Sequence, residues 1–360
     1  MKVSTRWLHN CNEFKRLRRY PSRALSKEEE NFPVAYAMVV YKDSAQVERL
    51  LRAIYQPQNV YCIHADLKSK HEFHRAIRKL ADCFDNVFVA SKLEKMQWGG
   101  ISPVLADLHC MEDLLDHRVQ WRYFINLCGQ DFPLKTNLEI VKQLKAYDGQ
   151  FYGRNCITGA PVKGTQFEIR TKYKFHTTTL DEPPQLGKSQ PAKGQPPNNI
   201  TLYKGDTYIA ATRGFVDFIV NSNVSKTFLA WLNDTFIPDE AFTSSLHRLP
   251  QAPGGYAQAI RPNESNVRFR KWDYDKSLPQ CPYGHYVRDL CIFSSDYLQY
   301  LWRRPELFVN KFHYEFDPVA MQCMEELLEY RTHHPEMIQH EVEYFPIRNY
   351  SWQTGADNAV

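Results

Sequence analysis

The sequence predicts an α/β protein whose central, mostly parallel sheet is Rossmann-like and covered by helices on both faces. Its 360 residues suffice for one large or two medium domains, and a hydrophobic content of 43% suffices for a core. Between residues 34 and 147, four apolar runs of strand length alternate with four segments of helical spacing. This alternation is typical of parallel strands joined by helices that lie on the two faces of the sheet.

Each predicted element follows from its local pattern of apolar residues. Strands are predicted where short apolar runs occur, at residues 34–41, 60–66, 87–91 and 123–129. Helices are predicted where apolar residues recur at helical spacing, at residues 46–55, 70–82, 102–115 and 137–147. After residue 148 the periodicity fades, and it returns as a strand and a helix over residues 203–220. Residues 181–198, which are rich in Pro, Gly, Lys and Gln, are predicted to form a long, mobile surface loop.

A ligand-binding crevice is predicted at the carboxyl ends of the parallel strands, where such sheets bind their ligands. The residues at these ends are Val40, Tyr41, His64, Asp66 and the turn at 126–131. Two roles for Asp66 are equally supported: it accepts a hydrogen bond from a ribose or a base, or it caps the helix that follows. The sequence contains no G-x-G-x-x-G and no Walker A motif, which argues against a dehydrogenase or a P-loop enzyme.

Two adjacent acids, Asp239 and Glu240, follow an apolar run that stops at Pro238. An amphipathic segment then continues from Ala241 to His247. Proline followed by acids is a helix-start signal, so Glu240 is predicted in the first turn of a helix. Its carboxylate would then lie at the entrance of the site that the helix lines. The alternative is that both acids only interact with the helix dipole, which is the commoner role of an isolated Pro-Asp-Glu.

Cysteines and glycosylation sequons indicate the cellular compartment. The chain has nine cysteines and five Asn-x-Ser/Thr sequons, which favour the secretory pathway and begin at Asn199, Asn223, Asn233, Asn263 and Asn349. It has neither an apolar run of about 18 residues nor a signal-peptide core. We therefore expect a truncated or variant N-terminus without its anchor, the alternative being a cytosolic chain with accidental sequons. The balanced formal charge of +4 argues against nucleic-acid binding.

Long phrases of the chain, in one order from about residue 20 to 330, resemble the core 2/I-branching β-1,6-N-acetylglucosaminyltransferases of glycosyltransferase family 14. These phrases lie at residues 25–29, 50–59, 61–64, 83–91, 125–129, 131–140, 238–240, 271–274, 287–288 and 310–312. The resemblance implies a GT-A type fold and an inverting, metal-independent transfer of GlcNAc from UDP-GlcNAc, which forms a β-1,6 branch on mucin-type O-glycans. Two alternatives stay open: the same chemistry on another acceptor such as poly-N-acetyllactosamine, and a catalytically silent homologue that binds a glycan or UDP.

The resemblance also implies the residues of the reaction. Glu240 matches the catalytic base, which takes the proton of the acceptor hydroxyl as its oxygen attacks the anomeric carbon. Arg288 and Lys311 match a basic pair that meets the charge of the leaving diphosphate in place of a metal. No metal is expected, because the strand end at residues 64–66 reads His-Ala-Asp, and the Asp-x-Asp at residues 273–275 lies in a late basic-aromatic segment. The expected donor-binding set is completed by Val40, Tyr41, Asp66 and Trp98.

The acceptor side departs from the family pattern. Trp272 and Tyr274 match aromatic residues that border the acceptor pocket, although core packing is an equally supported role for Trp272. Arg170 is the one acceptor-binding charge that can be placed. Gly159 and Phe167 stand at the positions of the family's glutamate and lysine. Because those side chains hold the acceptor sugar, the resemblance predicts the catalysis better than the acceptor.

Cysteine pairing is likewise implied by the resemblance. The expected disulfides are Cys11 with Cys83, Cys62 with Cys110, and Cys281 with Cys291. Cys128 is expected to be a free thiol. Cys156 has no family counterpart, and the family partner of Cys323 lies upstream of this chain. A Cys156–Cys323 bridge is an alternative for the last two.

With these roles the chain divides into four expected parts. Residues 1–33 are a stem remnant or linker, residues 34–147 the nucleotide-sugar-binding half, residues 148–330 the acceptor-binding and catalytic half, and residues 331–360 a polar tail. The expected partners are UDP-GlcNAc and a glycoprotein O-glycan acceptor, and homodimerisation stays open. The full-length protein is expected in the Golgi lumen as a type II membrane protein.

Overall fold

The computed structural model describes residues 10–148, 155–165, 167–177, 186–255, 267–281 and 284–338. Within these ranges the largest sheet has five strands, namely β1 (Val34–Val40), β2 (Val60–Ala65), β3 (Val87–Val89), β4 (Tyr123–Cys128) and β10 (Ala210–Thr212). Their order is β10-β4-β1-β2-β3, in which β10 alone runs antiparallel to its neighbour. The predicted α/β fold with a mostly parallel central sheet is therefore confirmed.

The two faces of this sheet are covered by different helices, because side chains alternate along each strand. In β1, Val34, Tyr36 and Met38 pack on one face, and Ala35 and Ala37 pack on the other. The first face is covered by α3 (Ser44–Ile54), α4 (His71–Ala81) and α6 (Asn137–Asp148). The second face is covered by α5 (Ser102–Asp116), α8 (Arg213–Asn221), α9 (Asn223–Leu232) and α10 (Asp239–Leu246). Burial on both faces explains why the strands are near-continuous apolar runs.

A second sheet joins the later part of the chain to the first. It consists of β5 (Asp131–Pro133), β14 (Phe308–Asn310) and β11 (Arg268–Arg270), with α11 (Leu298–Trp302) and α12 (Pro318–His333) contributing to the same core. Asp131 and Arg268 form a fully buried ion pair at 3.3 Å. Asp131 also accepts hydrogen bonds from the Cys128 amide at 2.6 Å and from Asn310 Nδ2 at 2.8 Å. These bonds hold the end of β4 close to the end of β14.

Residues 10–33 pack against the first sheet, although the sequence predicts a linker there. Two short helices, α1 (Cys11–Leu17) and α2 (Lys27–Glu30), lie in this segment. Phe14 is buried in the core, Arg18 forms an ion pair with the buried Glu48 at 2.5 Å, and a disulfide joins Cys11 to Cys83. Helices of 7 and 4 residues are too short to show a helical period, so the sequence pattern does not reveal them.

The predicted loop at residues 181–198 is in part a strand. β8 (Leu186–Ala192) pairs antiparallel with β7 (Tyr173–Thr177), whereas residues 181–185 lie outside the described ranges. The Lys193 ammonium, which follows β8, donates to the Trp231 carbonyl oxygen at 2.5 Å and to Thr235 Oγ1 at 2.7 Å. Main-chain pairing and one anchored lysine therefore order a segment whose polar composition predicts a loop.

Two of the three predicted disulfides form, and the third does not. Cys281 is bonded to Cys291, in addition to the bridge of the N-terminal segment. Cys62 in β2 and Cys110 in α5 are buried free thiols, and Cys110 Sγ donates to the Cys62 carbonyl oxygen at 3.8 Å. Burial raises the pKa of both thiols. Cys128, Cys156 and Cys323 form no disulfide either, so the alternative bridge between Cys156 and Cys323 does not form.

The surface carries three of the predicted glycosylation sites. Asn199, Asn223 and Asn233 are exposed, whereas Asn263 and Asn349 lie outside the described residues. The C-terminal part beyond residue 338 lies outside them as well. Among the helices that the structure describes, none is both long and apolar enough to cross a membrane.

Candidate active site

The start of α10 presents Glu240, as the sequence predicts. Pro238 precedes the helix, and Asp239 and Glu240 occupy its first turn. The Ile237 amide donates to the Gly99 carbonyl oxygen at 2.8 Å, which connects this helix start to the Trp-Gly-Gly segment at residues 98–100. The Glu240 side chain is 26% exposed, so its carboxylate reaches the surface from a fixed backbone.

Two cations face the Glu240 carboxylate. Arg170, in the short helix α7 (Glu168–Lys172), donates from Nη1 to Glu240 Oε2 at 2.8 Å. Lys204 Nζ lies 3.9 Å from Glu240 Oε1. The predicted acceptor residue Arg170 is thus in contact with the predicted base, and Lys204 is a site residue that the sequence pattern does not reveal.

A close approach of two backbones brings Lys204 to this position. Lys204 ends β9 (Tyr203–Lys204), which pairs antiparallel with β6 (Ala160–Pro161). The next residue, Gly205, donates its amide to the Glu240 carbonyl oxygen at 2.7 Å. A Cβ atom at Gly205 would lie 2.0 Å from Ser244 Oγ and 2.2 Å from the Thr158 carbonyl oxygen, so only glycine fits. The absent side chain lets the strand lie directly on α10.

Two partly buried carboxyl groups, Asp239 and Asp107, adjoin the helix start that carries Glu240. Burial, with a further contribution from the charge of Glu240, raises the pKa of Asp239 to about 6. Burial also raises the pKa of Asp107 to about 7. Asn126 Nδ2 donates to Asp107 Oδ2 and to the Thr207 carbonyl oxygen, both at 2.8 Å. The end of β4 is therefore hydrogen-bonded to polar groups next to this helix start.

An aromatic wall adjoins Glu240 on one side. The Phe236 ring stacks on Phe175 at 5.4 Å between centroids and meets Trp98 edge-on at 5.6 Å. The Arg170 guanidinium lies 4.7 Å from the centroid of the Phe167 ring. Trp98, which the sequence assigns to the donor side, is 53% exposed beside the loop that carries Glu240, and its role stays a prediction.

A second aromatic surface is formed by Trp272 and Tyr274. Their rings stack at 5.6 Å with an interplanar angle of 17°, and Tyr274 is 71% exposed. Arg270 lies over the Trp272 ring at 5.6 Å and forms an ion pair with Asp206 at 2.6 Å. Burial raises the pKa of Tyr274, and among the nearby charges Arg270 opposes that shift and Glu240 adds to it. Tyr274 is thus close enough to Glu240 for its pKa to respond to that charge, and Trp272 stacks on Tyr274.

The predicted diphosphate-binding pair is carried by two other elements of the chain. Arg288 lies at the tip of the hairpin formed by β12 (Tyr286–Val287) and β13 (Leu290–Cys291), with a φ of 52°. Lys311 directly follows β14. Burial lowers the pKa of Lys311, and the positive charges of Arg288 and Lys42 contribute to that lowering. Arg288 and Lys42 are therefore close enough to Lys311 for their charges to act on it, and Lys42, which directly follows the predicted crevice residue Tyr41, is not among the residues that the sequence predicts.

The remaining crevice residues lie at the strand ends as predicted. Val40 is buried, whereas Tyr41 is 49% exposed. Asp66 Oδ1 accepts from the amides of Lys68 at 2.9 Å and Met96 at 3.1 Å. The helix α4, which begins at His71, has no side-chain cap, so Asp66 does not cap it. Asp66 organises the turn and the loop that follows β3, and its contact with a donor stays a prediction.

Acidic groups with metal-like spacing have other partners. Asp275 Oδ1 accepts from the amide and the hydroxyl of Ser277, and Asp273 lies 3.9 Å from Lys276 Nζ. His64 Nε2 accepts from the Glu94 amide at 2.8 Å, and burial lowers the pKa of His64 to about 4. In the part of the chain that the structure describes, no group of three or more His, Cys, Asp or Glu side chains is arranged to hold a metal ion.

Comparison with known proteins identifies the family. The family model described as "Core-2/I-Branching enzyme" matches residues 34–301. The beta-1,3-galactosyl-O-glycosyl-glycoprotein beta-1,6-N-acetylglucosaminyltransferase 4 of Mus musculus is 41% identical over 326 residues, which cover 89% of this chain and 70% of that protein. The N-acetyllactosaminide beta-1,6-N-acetylglucosaminyl-transferase of Homo sapiens is 41% identical over 319 residues, which cover 88% of this chain and 77% of that protein. The chain therefore belongs to the Core-2/I-branching enzymes, a family of β-1,6-N-acetylglucosaminyltransferases.

Proposed function

We propose that this chain transfers GlcNAc from UDP-GlcNAc to a mucin-type O-glycan, with inversion and without a metal, to form a β-1,6 branch. One observation carries the proposal. The Glu240 carboxylate stands at a helix start between cations and stacked aromatic rings. The charges of Arg288 and Lys42, which act on Lys311, support it. The named relatives, which act on galactosyl-O-glycosyl-glycoproteins and on N-acetyllactosaminides, support the substrate class.

The reaction assigned to these residues is a single in-line displacement. Glu240 takes the proton of the acceptor hydroxyl while that oxygen forms a bond to C1 of GlcNAc. The bond from C1 to the diphosphate oxygen breaks at the same time, and its electron pair leaves with UDP. Lys311, Arg288 and Lys42 stabilise the charge that develops on the diphosphate. Because the nucleotide leaves as an anion, no second carboxylate is needed to protonate it.

The Arg170 contact has a consequence for the order of events. Arg170 occupies Glu240 Oε2 at 2.8 Å, so the acceptor hydroxyl has to replace or share this bond before the proton can move. The rings of Trp272 and Tyr274 offer an apolar face on which a sugar can stack. We infer that acceptor binding exchanges the Arg170 bond for a bond to the sugar.

The setting of the reaction belongs to the proposal as well. We place the full-length protein in the Golgi lumen as a type II membrane protein. Exposed sequons at Asn199, Asn223 and Asn233 and two disulfides support a luminal location. A homodimer is compatible with this arrangement and is tested by the molar mass in solution.

The test is the transfer of labelled GlcNAc from UDP-GlcNAc to Galβ1-3GalNAc in the presence of a chelator. Transfer with a β-1,6 linkage supports the donor, the acceptor and the metal independence together. Transfer to N-acetyllactosamine alone would replace the acceptor by that of the human relative. Folded protein that binds UDP but modifies neither acceptor would contradict the proposal and favour a binding-only homologue.

A further inference from the structure

The acceptor side of the site lacks the glutamate and the lysine that the family resemblance implies there, since Gly159 and Phe167 stand at their positions. Gly159 has no side chain, and a Cβ atom there would lie 3.3 Å from both Ser244 Cβ and Tyr203 Cβ, a tight fit. Phe167 presents an aromatic ring instead of an amine. The ring of Phe167 is nevertheless covered by an ammonium, because Lys204 Nζ lies 4.9 Å from its centroid. A lysine from another strand therefore occupies this part of the site.

The position of Lys204 is fixed by its backbone. Lys204 is paired with Ala160 across the β6–β9 ladder, and the amide of Gly205 is bonded to the Glu240 carbonyl oxygen at 2.7 Å. The Lys204 side chain is 30% exposed, and its ammonium lies 3.9 Å from Glu240 Oε1. A cation that is held to α10 by its own strand, and that keeps access to solvent, can meet a ligand at the carboxylate.

We propose that Lys204 is an acceptor-positioning residue that binds a hydroxyl or acetamido oxygen of the glycan. This inference rests on the proposed function and names a further residue of the same site. When Glu240 engages the acceptor hydroxyl, Lys204 turns from the carboxylate towards a neighbouring sugar oxygen. An ammonium has three donors and no acceptor. At 3.9 Å from Glu240 Oε1 it lies beyond hydrogen-bond distance of that atom, so it can turn to the sugar without breaking a hydrogen bond to Glu240. Lys204 and Arg170 thus hold the base in the empty site and orient the acceptor in the filled one.

A purely structural role for Lys204 makes a different prediction. If Lys204 only neutralised Glu240, its removal would affect turnover and leave acceptor affinity unchanged. If it only stabilised the fold, its removal would weaken acceptor and UDP binding together. An acceptor-positioning role weakens acceptor binding alone, because the donor cations Arg288 and Lys311 are carried by the β12–β13 hairpin and by β14, whereas Lys204 is carried by β9, which pairs with β6.

The experiment measures the Kd of acceptor and of UDP by calorimetry for wild type and for Lys204→Met. The acceptor probes are Galβ1-3GalNAc and N-acetyllactosamine. We expect Lys204→Met to raise the acceptor Kd by about tenfold, the effect of one lost hydrogen bond from a charged donor, and to change the UDP Kd less than about twofold. Lys204→Arg should retain most of the acceptor affinity, because it keeps the charge. Lys226→Met, at an exposed lysine of α9, is the matched control and should change neither value.

The outcomes separate this inference from the proposed function. An acceptor Kd for Lys204→Met within about twofold of wild type would overturn it, as would a parallel loss of acceptor and UDP affinity. Wild type that binds neither acceptor would overturn it too. Wild type that binds an acceptor but transfers no GlcNAc would refute the proposed function, while the Kd comparison still decides the role of Lys204.

Discussion

The donor and acceptor sides of the site differ in what lies next to their cations: other cations on the donor side, and a carboxylate on the acceptor side. On the donor side, burial and the charges of Arg288 and Lys42 lower the pKa of Lys311. On the acceptor side, Arg170 and Lys204 already face the Glu240 carboxylate. A diphosphate therefore relieves repulsion when it binds, whereas an acceptor sugar competes with cations for the base. We infer that donor binding is driven by charge and that acceptor binding depends on the exchange of individual hydrogen bonds.

The two sides also differ in how their residues are held. Lys311 follows a strand that is bonded to the buried Asp131, and Arg288 lies on a hairpin that the Cys281–Cys291 disulfide closes. Arg170 lies on a helix of only 5 residues, and Lys204 lies on a strand of 2 residues. The side chains of Arg170 and Lys204 are 27% and 30% exposed, so both can turn towards a ligand while their backbones stay in place. The acceptor side is therefore where we expect the specificity of this chain to be set.

The largest expected effect tests whether Glu240 is the base that takes the proton of the acceptor hydroxyl. Glu240→Gln keeps the size of the side chain but removes the proton acceptor, so kcat should fall by roughly 10³-fold with UDP affinity unchanged. Steady-state kinetics and UDP calorimetry measure both quantities. Glu72→Gln, at an exposed position of α4, is the control. Turnover of Glu240→Gln near that of the control would remove Glu240 from the mechanism.

The next effect tests the donor side alone. Lys311→Met removes one of the donor-side cations, and kcat should fall by roughly 100-fold because the diphosphate loses a stabilising charge. UDP should bind more weakly, while the acceptor Kd should stay at its wild-type value. Calorimetry with each ligand checks this separation. If the acceptor affinity fell as much as the UDP affinity, the division into two independent sides would be wrong.

A smaller effect concerns the two carboxyl groups that adjoin the start of α10. The folded pKa of Asp107 is raised to about 7 and that of Asp239 to about 6. A raised carboxyl pKa means that the folded state binds the proton more tightly, so this contribution to stability is fully present below the unfolded pKa of about 3.9 and is lost as pH rises to the folded pKa. The free energy of unfolding should therefore decrease from about pH 4 to about pH 7, by up to about 1.4 kcal/mol per pH unit for each group.

Urea unfolding across this pH range measures that decrease. Asp107→Asn cannot titrate at this position and should flatten the slope, most visibly between about pH 6 and 7 where the Asp239 contribution is already lost. Asp296→Asn, at an exposed position, should leave the slope unchanged. A slope that persists in full in Asp107→Asn would mean that other groups cause it.

The smallest expected effect tests whether an ammonium at position 167 can replace that of Lys204 in acceptor binding. Phe167→Lys in a Lys204→Met background returns an ammonium to the ring position that Lys204 Nζ covers in the wild type. Because the site is partly exposed, we expect the acceptor Kd to recover by only about threefold to fivefold. Calorimetry against the Lys204→Met parent gives this ratio. A further loss of acceptor affinity would show that the aromatic ring itself, rather than the charge above it, contacts the sugar.

Sequence patterns predicted the elements whose side chains are buried and periodic. The strands and helices between residues 34 and 147, and the helix start at Glu240, follow from apolar periodicity and a proline-acid signal. The ordered segment at residues 10–33 and the strand at Leu186–Ala192 did not follow, because one consists of very short helices and the other is held by main-chain bonds and Lys193. The predicted Cys62–Cys110 disulfide was wrong, since both thiols are free and Cys110 Sγ donates to the Cys62 carbonyl oxygen instead.

The fold class, the family and the expected donor and acceptor classes follow from the chain alone, because strand-length apolar runs and long ordered phrases are local properties of a sequence. The charges around Glu240 follow only from the folded arrangement. Lys204 is 36 residues from Glu240 in the chain and carries no motif, yet Gly205 lets its strand lie on α10. Lys42 follows β1 of the first sheet and Lys311 follows β14 of the second, so it is the packing of the two sheets that brings the charge of Lys42 close to Lys311. Contacts of this kind depend on how elements pack, which no spacing along the chain records.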